Sequence, residues 1–199
     1  MLTLAMGLVL SGSDCSGVDP VDDPNGVLIN GIVWAKYNVN TPGNFTTAPE
    51  AAGMFYQWNR RVGWSSTNPR TSSPSGNTWN NTAAVGTTWE EANNPCPAGW
   101  QVPTYAQLGA LIAGSTWTTV GGVNGRRCGS GADNIFLPAA GVRSEDGSLL
   151  SVGEVGSYWA SDQGSNEIGR CIVFVTSDAD SSPAITLKVL GYSVRCIKK

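Results

Sequence analysis

Apolar and polar positions in this chain fall in short runs set apart by turn-forming residues. Val27 to Tyr37 places Ile29, Ile32 and Trp34 among β-branched neighbours, which predicts a first strand after a turn at Asn25-Gly26. From there to Thr87 the order is lost, with Pro42, Pro49, Pro69 and Pro74 scattered through Ser, Thr, Asn and Gly. That stretch predicts long ordered loops, interrupted by a short aromatic segment at Met54 to Trp58. Two threonines then precede an acid or amide by three residues, the spacing with which a capping box satisfies the free N–H groups of a helix start. Thr88-Trp89-Glu90-Glu91, stopped by Asn94-Pro95, predicts a helix at about 88–93. Thr104-Tyr105-Ala106-Gln107, stopped by Gly114, predicts a second at about 104–113, with Leu108, Leu111 and Ile112 on one face.

Strand patterns recur beyond it, at Thr116–Val120, Ile135–Leu137, Ser157–Ala160, Arg170–Thr176, Ala184–Val189 and Ser193–Ile197. Asp146-Gly147 and Gly164-Ser165 supply turn chemistry between them. The expected architecture is α+β: two short helices with a twisted antiparallel sheet and long ordered loops. It forms a single domain over 26–199, without internal repeats.

Residues 1–25 read differently. Leu2 to Leu10 is an apolar run too short to span a bilayer, and Ser11-Gly12-Ser13 follows it, as in a secretory signal. Leu10-Ser11-Gly12 has lipoprotein-signal character, with Cys15, or a cysteine replaced by Ser13, as the acceptor. Asp14, Asp19, Asp22 and Asp23 then make a solvated tether. The expectation is an exported protein on the cell surface or outer membrane, touching the membrane only through a lipid anchor.

Composition narrows the functional classes. Of 199 residues only 14% are charged, while 25 Gly, 11 Pro and eight Trp predict irregular chain held by aromatic packing. A net charge of −3, with basic doublets only at Arg60-Arg61, Arg126-Arg127 and Lys198-Lys199, argues against a nucleic-acid partner. The chain has no His, which removes His-based nucleophile activation, His general bases and the commonest metal ligand. Five Cys in an export-like context predict two bridges and one leftover, with connectivity open at this point.

Several blocks, in their order and spacing, resemble a known family. They are Asn30-Gly31-Ile32-Val33-Trp34-Ala35-Lys36-Tyr37-Asn38-Val39, Trp89-Glu90-Glu91-Ala92-Asn93, Cys96 to Thr104, Leu137-Pro138-Ala139-Ala140-Gly141, Gly156-Ser157-Tyr158-Trp159-Ala160-Ser161 and Ser193-Val194-Arg195-Cys196. Together they resemble the major paralogous domain (FISUMP) of bacterial surface proteins, over about residues 26–199. The resemblance implies a C-type-lectin-like fold and a surface role as an adhesin or pilus-associated module, with pilus subunits among its partners, and it assigns no reaction. It also implies a Cys96–Cys196 bridge, which leaves Cys128–Cys171 as the natural second pair and Cys15 over.

Candidate chemistry is sparse. Glu90-Glu91 suits a helix start, where acids favour the dipole, and Glu145-Asp146 suits a hairpin turn. Sugar-binding C-type lectins hold calcium through Glu-Pro-Asn or Gln-Pro-Asp followed by Trp-Asn-Asp. Only Trp79-Asn80-Asn81 echoes this, so no metal or cofactor is expected. Val102-Pro103-Thr104 and Gly191 to Arg195 resemble signatures of formylglycine-generating oxidases, which need two reactive cysteines. That oxidase and a purely structural surface domain are the alternatives to a non-enzymatic module. Trp100, Tyr158, Trp159 and Arg195 read as core. The polar groups between Asp162 and Tyr192 form the candidate ligand face: Asp162, Gln163, Asn166, Glu167, Asp178, Asp180, Thr186 and Lys188, binding a glycan or a protein.

Overall fold

The computed structural model describes residues 23–176 and 184–199, so the leader with Cys15 and the candidates Asp178 and Asp180 lie outside the described residues. Asn30 and Gly31 take φ of 51° and 77°, the paired left-handed conformation of a tight hairpin turn. They split the predicted first strand into β1 (Gly26–Ile29) and β2 (Ile32–Ala35). The long loop region is broken by β3 (Phe55–Gln57), β4 (Gly63–Trp64) and β5 (Ser72–Ser73), and β6 (Trp100–Gln101) precedes the helix α1 (Tyr105–Ile112). Then come β7 (Thr116–Val120), β8 (Val123–Ser130), β9 (Asp133–Pro138), β10 (Val142–Arg143), β11 (Leu149–Leu150) and β12 (Gly156–Gln163). The chain ends with β13 (Ile168–Phe174), β14 (Ala184–Leu187), β15 (Gly191–Tyr192) and β16 (Ile197–Lys198).

With 40% of the described residues in strand against 6% in helix the protein is mostly β, which corrects the expected α+β, C-type-lectin-like frame with two helices. The capping box at Thr104 is formed: Gln107 N–H donates to the Thr104 hydroxyl while the Gln107 side chain accepts from Thr104 N–H, so this helix stands. The one at Thr88 is not. Thr88 bridges to Asp162 and Trp89 N–H donates to Ser161 O, so tertiary pairing holds the segment extended. Only a single 3-10 turn, Glu91–Asn93, forms before Pro95. Ser193–Ile197 is likewise not one strand, because β15 and β16 belong to different sheets and Ser193 makes a lone parallel bridge to Tyr158.

Among the described residues four small sheets, none closed into a barrel, carry the strands in the orders β1-β2-β16-β6, β11-β10-β15-β3-β4-β5, β12-β13-β14 and β7-β8-β9. The β12-β13 pair is buried on both faces. Strand alternation sends Tyr158, Ala160, Ile172 and Phe174 to one core cluster, shared with Leu108, Leu111 and Ile112 of α1. It sends Trp159 and Cys171 to a second cluster, with Trp58, Trp100 and Val194.

That alternation decides the cysteines. Cys96 and Cys196 are bonded (S–S 2.09 Å) beside the second cluster. Cys128 lies in the first cluster and Cys171 in the second, and both are buried free thiols, so the expected Cys128–Cys171 bridge is corrected.

Candidate functional site

The predicted ligand face is only partly a surface. Asp162 sits near the end of β12 and spends its carboxylate on structure. Its Oδ1 accepts from Tyr105 N–H, 2.8 Å, at the first turn of α1, and its Oδ2 lies 3.8 Å from Arg170 Nε. Lys188 is 1% exposed. Its ammonium donates to Gly86 O (3.1 Å), Ala84 O (3.3 Å) and Gln163 Oε1 (2.9 Å), and sits 4.1 Å from the Trp58 ring centroid, so burial holds its pKa below the ordinary lysine value. The Thr186 hydroxyl accepts from the Tyr192 hydroxyl. Asn166 and Glu167 alone among the described candidates are exposed, at the tip of the β12-β13 hairpin.

The segments that resemble oxidase signatures meet the free thiols only in the closed core: Val102, Tyr192 and Val194 share a buried cluster with Cys171, and the buried Arg195 lies near Cys128. A small cleft of about 170 Å³ beside Val102 and Thr104 is lined by Trp89, Glu91, Gln101 and Gln107 and contains no cysteine. Burial pushes the thiols of Cys128 and Cys171 up to about 12.

A second concavity lies where the loops after β4 and β5 meet the turn between β10 and β11. It is a groove of about 400 Å³ with Trp64 and Trp79 at its base, their ring centroids 5.1 Å apart and their planes tilted by 58°. Arg70 lies across both rings, its guanidinium carbon 5.6 Å and 5.4 Å from the two centroids. Its Nη1 donates to Asp146 O, 2.7 Å. Ser72, Asn77 and Thr78 supply hydroxyl and amide groups to the lining.

The groove is assembled from distant pieces. Trp79 Nε1 donates to Glu145 O at 2.6 Å, which ties the loop after β5 to the β10-β11 turn. Beneath it the fully buried Arg143 donates to Ser65 O, Thr67 O and Gly147 O at 2.6–2.8 Å, fixing the loop after β4 to the same turn. Burial first, and then the nearby Arg70 charge, lower the Arg143 pKa. Gly147 has φ of 80°, and a Cβ there would lie 1.7 Å from Arg70 Nη1, so only glycine leaves room for the arginine. Sequence reasoning placed Trp79 only as a calcium-motif echo and gave Arg70 no role. The usable signal was a lone arginine between two tryptophans in a loop rich in Ser, Thr and Asn.

Set against family models, curated proteins and solved structures, the chain matches none.

Proposed function

We propose that the protein is a non-catalytic ligand-recognition module of a bacterial surface, an adhesin or pilus-associated domain that binds through loops held on a rigid β scaffold. The observation that carries this reading is the groove in which Trp64 and Trp79 hold an accessible Arg70 among hydroxyl and amide groups. Concave sites with aromatic walls and a few placed polar groups are the usual form of ligand pockets, and loops on a fixed scaffold commonly carry binding. The Cys96–Cys196 bridge supports export, since disulfides persist in oxidising compartments. The resemblance of the sequence blocks to the FISUMP family supports the surface setting. Against an oxidase stands the state of the cysteines: two are bonded, and the other two described are buried thiols whose raised pKa keeps them from the reactive thiolate form.

The test is a binding screen of purified protein on a glycan array and on immobilised mucin and fibrinogen, run beside Trp79→Ala and Asn77→Ala variants of unchanged circular dichroism. Capture by at least one probe, weakened about tenfold in a variant, is the expected result. Unchanged capture by both variants moves recognition off the groove. No capture by any probe overturns the recognition reading.

A further inference from the structure

We infer that the Trp64–Trp79 groove takes a sugar residue bearing a carboxylate, with Arg70 as the group that selects the acid. The inference rests on the recognition reading above and names the chemical class of its ligand.

The charge of the lining points this way. Arg70 is the one ionisable side chain lining the groove, and among the described residues no carboxylate lies within ion-pair distance of it. A second guanidinium, Arg143, is buried below, bonded only to carbonyl and hydroxyl oxygens. The acids on the adjoining turn, Glu145 and Asp146, do not line the groove. Asp146 is exposed on that turn and commits its Oδ1 locally, accepting from the Ser144 hydroxyl at 2.6 Å and Ser148 N–H at 2.9 Å, and these bonds hold its pKa at about 2.

Geometry makes the selection specific. The two indole rings and the bond from Nη1 to Asp146 O fix the guanidinium, while Nε and Nη2 have no acceptor among the described residues. Those two N–H groups form the planar edge that pairs with both oxygens of a carboxylate. A fixed fork loses little freedom on binding, so the interaction goes into affinity rather than ordering. The half-buried Trp79 offers an apolar ring surface to the C–H face of a pyranose. At the rim Ser72 Oγ accepts from Asn77 N–H, and Asn77 Nδ2 donates to Pro74 O, which leaves the Asn77 carbonyl oxygen and the Ser72 hydroxyl proton for sugar hydroxyls. A neutral sugar meets the same aromatic and hydroxyl groups but leaves the Arg70 fork to water.

Tryptophan fluorescence titration and calorimetry test this with two matched pairs: a hyaluronan tetrasaccharide against its carboxyl-reduced form, and 3′-sialyllactose against its carboxyl-reduced form. The expected result is that at least one acid binds about tenfold or more tighter than its neutral partner. Arg70→Gln should erase the difference, and Arg70→Lys, which keeps the charge but not the fork, should restore only part of it. Equal binding of acid and neutral partners, indifferent to Arg70→Gln, overturns acid selection while the recognition reading stands. No binding of any of the four by a protein that captures mucin or fibrinogen through Trp79 overturns the saccharide class. Failure of every probe in both experiments overturns the recognition reading itself.

Discussion

Arg195 and Asn38, 157 residues apart, meet in the interior through two hydrogen bonds: Nε and Nη2 of the arginine donate to Asn38 Oδ1 at 3.0 Å and 2.7 Å. Nη1 and Nη2 also donate to Ala35 O (3.1 Å) and Phe136 O (2.8 Å), so a fully buried cation is met by oxygens without a carboxylate in ion-pair distance among the described residues. Asn38 in turn donates to Ala52 O and to the Tyr158 hydroxyl. One side chain near the C-terminus thereby joins the β1-β2 hairpin, β9 and the central β12-β13 pair.

Removing either partner strands the other's buried polar groups. Asn38→Ala should cost about 2–4 kcal/mol, because hydrogen bonds to a charged group are worth about 1.5–3 kcal/mol each and the guanidinium remains. Arg195→Lys should also destabilise, since an ammonium cannot span the same fork of acceptors. The double variant Asn38→Leu with Arg195→Met should cost clearly less than the sum of its single changes, as urea unfolding would measure. Additive costs would mean that the two side chains act independently.

The free thiols make a prediction about alkaline pH. Burial raises Cys128 and Cys171 from 9.0 to about 12, and raises Tyr158 and Tyr192 from 10.0 to about 12. Each group stays protonated in the folded protein where the unfolded chain has lost its proton. Their stabilisation is therefore complete below pH 9 and lost progressively as pH rises toward 12. Lys188 works in the opposite sense, because burial lowers its pKa. Tyr56 and Tyr105 are raised as well, so the raised thiols and phenols together should outweigh the lysine and make the melting temperature fall between pH 9 and 11, less steeply in Cys171→Ser. Iodoacetamide at pH 8 should leave Cys128 and Cys171 unmodified until denaturant is added, as peptide mass spectrometry would show. Rapid native labelling of either would contradict their burial.

How far the sequence could be read follows from how local each signal is. The Thr104 box needs only residues 104 to 107, and it forms. The Thr88 pattern is as good locally but loses to the pairing of Thr88 with Asp162, 74 positions away by subtraction of the two numbers. β8 was hidden because Gly125, Arg126, Arg127 and Gly129 break any apolar alternation. Its glycine at 125 serves packing instead, since a Cβ there would meet Leu137 O at 2.3 Å. Cys96–Cys196 followed from the resemblance that the ordered sequence blocks bear to a known family. Cys128 and Cys171 have no such anchor, and the alternation of β13 turns Cys171 toward Trp159's side of the sheet. The groove's lining, all between Trp64 and Trp79, left a signal in its lone arginine, but its assembly was not legible, because Arg143, Glu145 and Gly147 brace that loop from a different part of the chain.

The C-terminal face offers the sharpest contrast between polar residues that look alike in sequence. Asn166 and Glu167 are exposed and their side chains make no hydrogen bond to other described residues, so alanine at either should change stability by less than about 0.5 kcal/mol. Asp162→Ala removes the acceptor for Tyr105 N–H at the first turn of α1, a loss of the helix-capping kind that costs about 0.5–2 kcal/mol. Lys188→Ala should cost more, because it strips Gly86 O, Ala84 O and Gln163 of their donor and opens space against Trp58. Lys188→Met separates those effects: it keeps most of the stem against the ring and loses only the ammonium, so its melting temperature should fall between those of the wild type and Lys188→Ala. If Lys188→Ala melted with the wild type, the lysine would be free to meet a ligand, and this face would return as a recognition surface beside the groove.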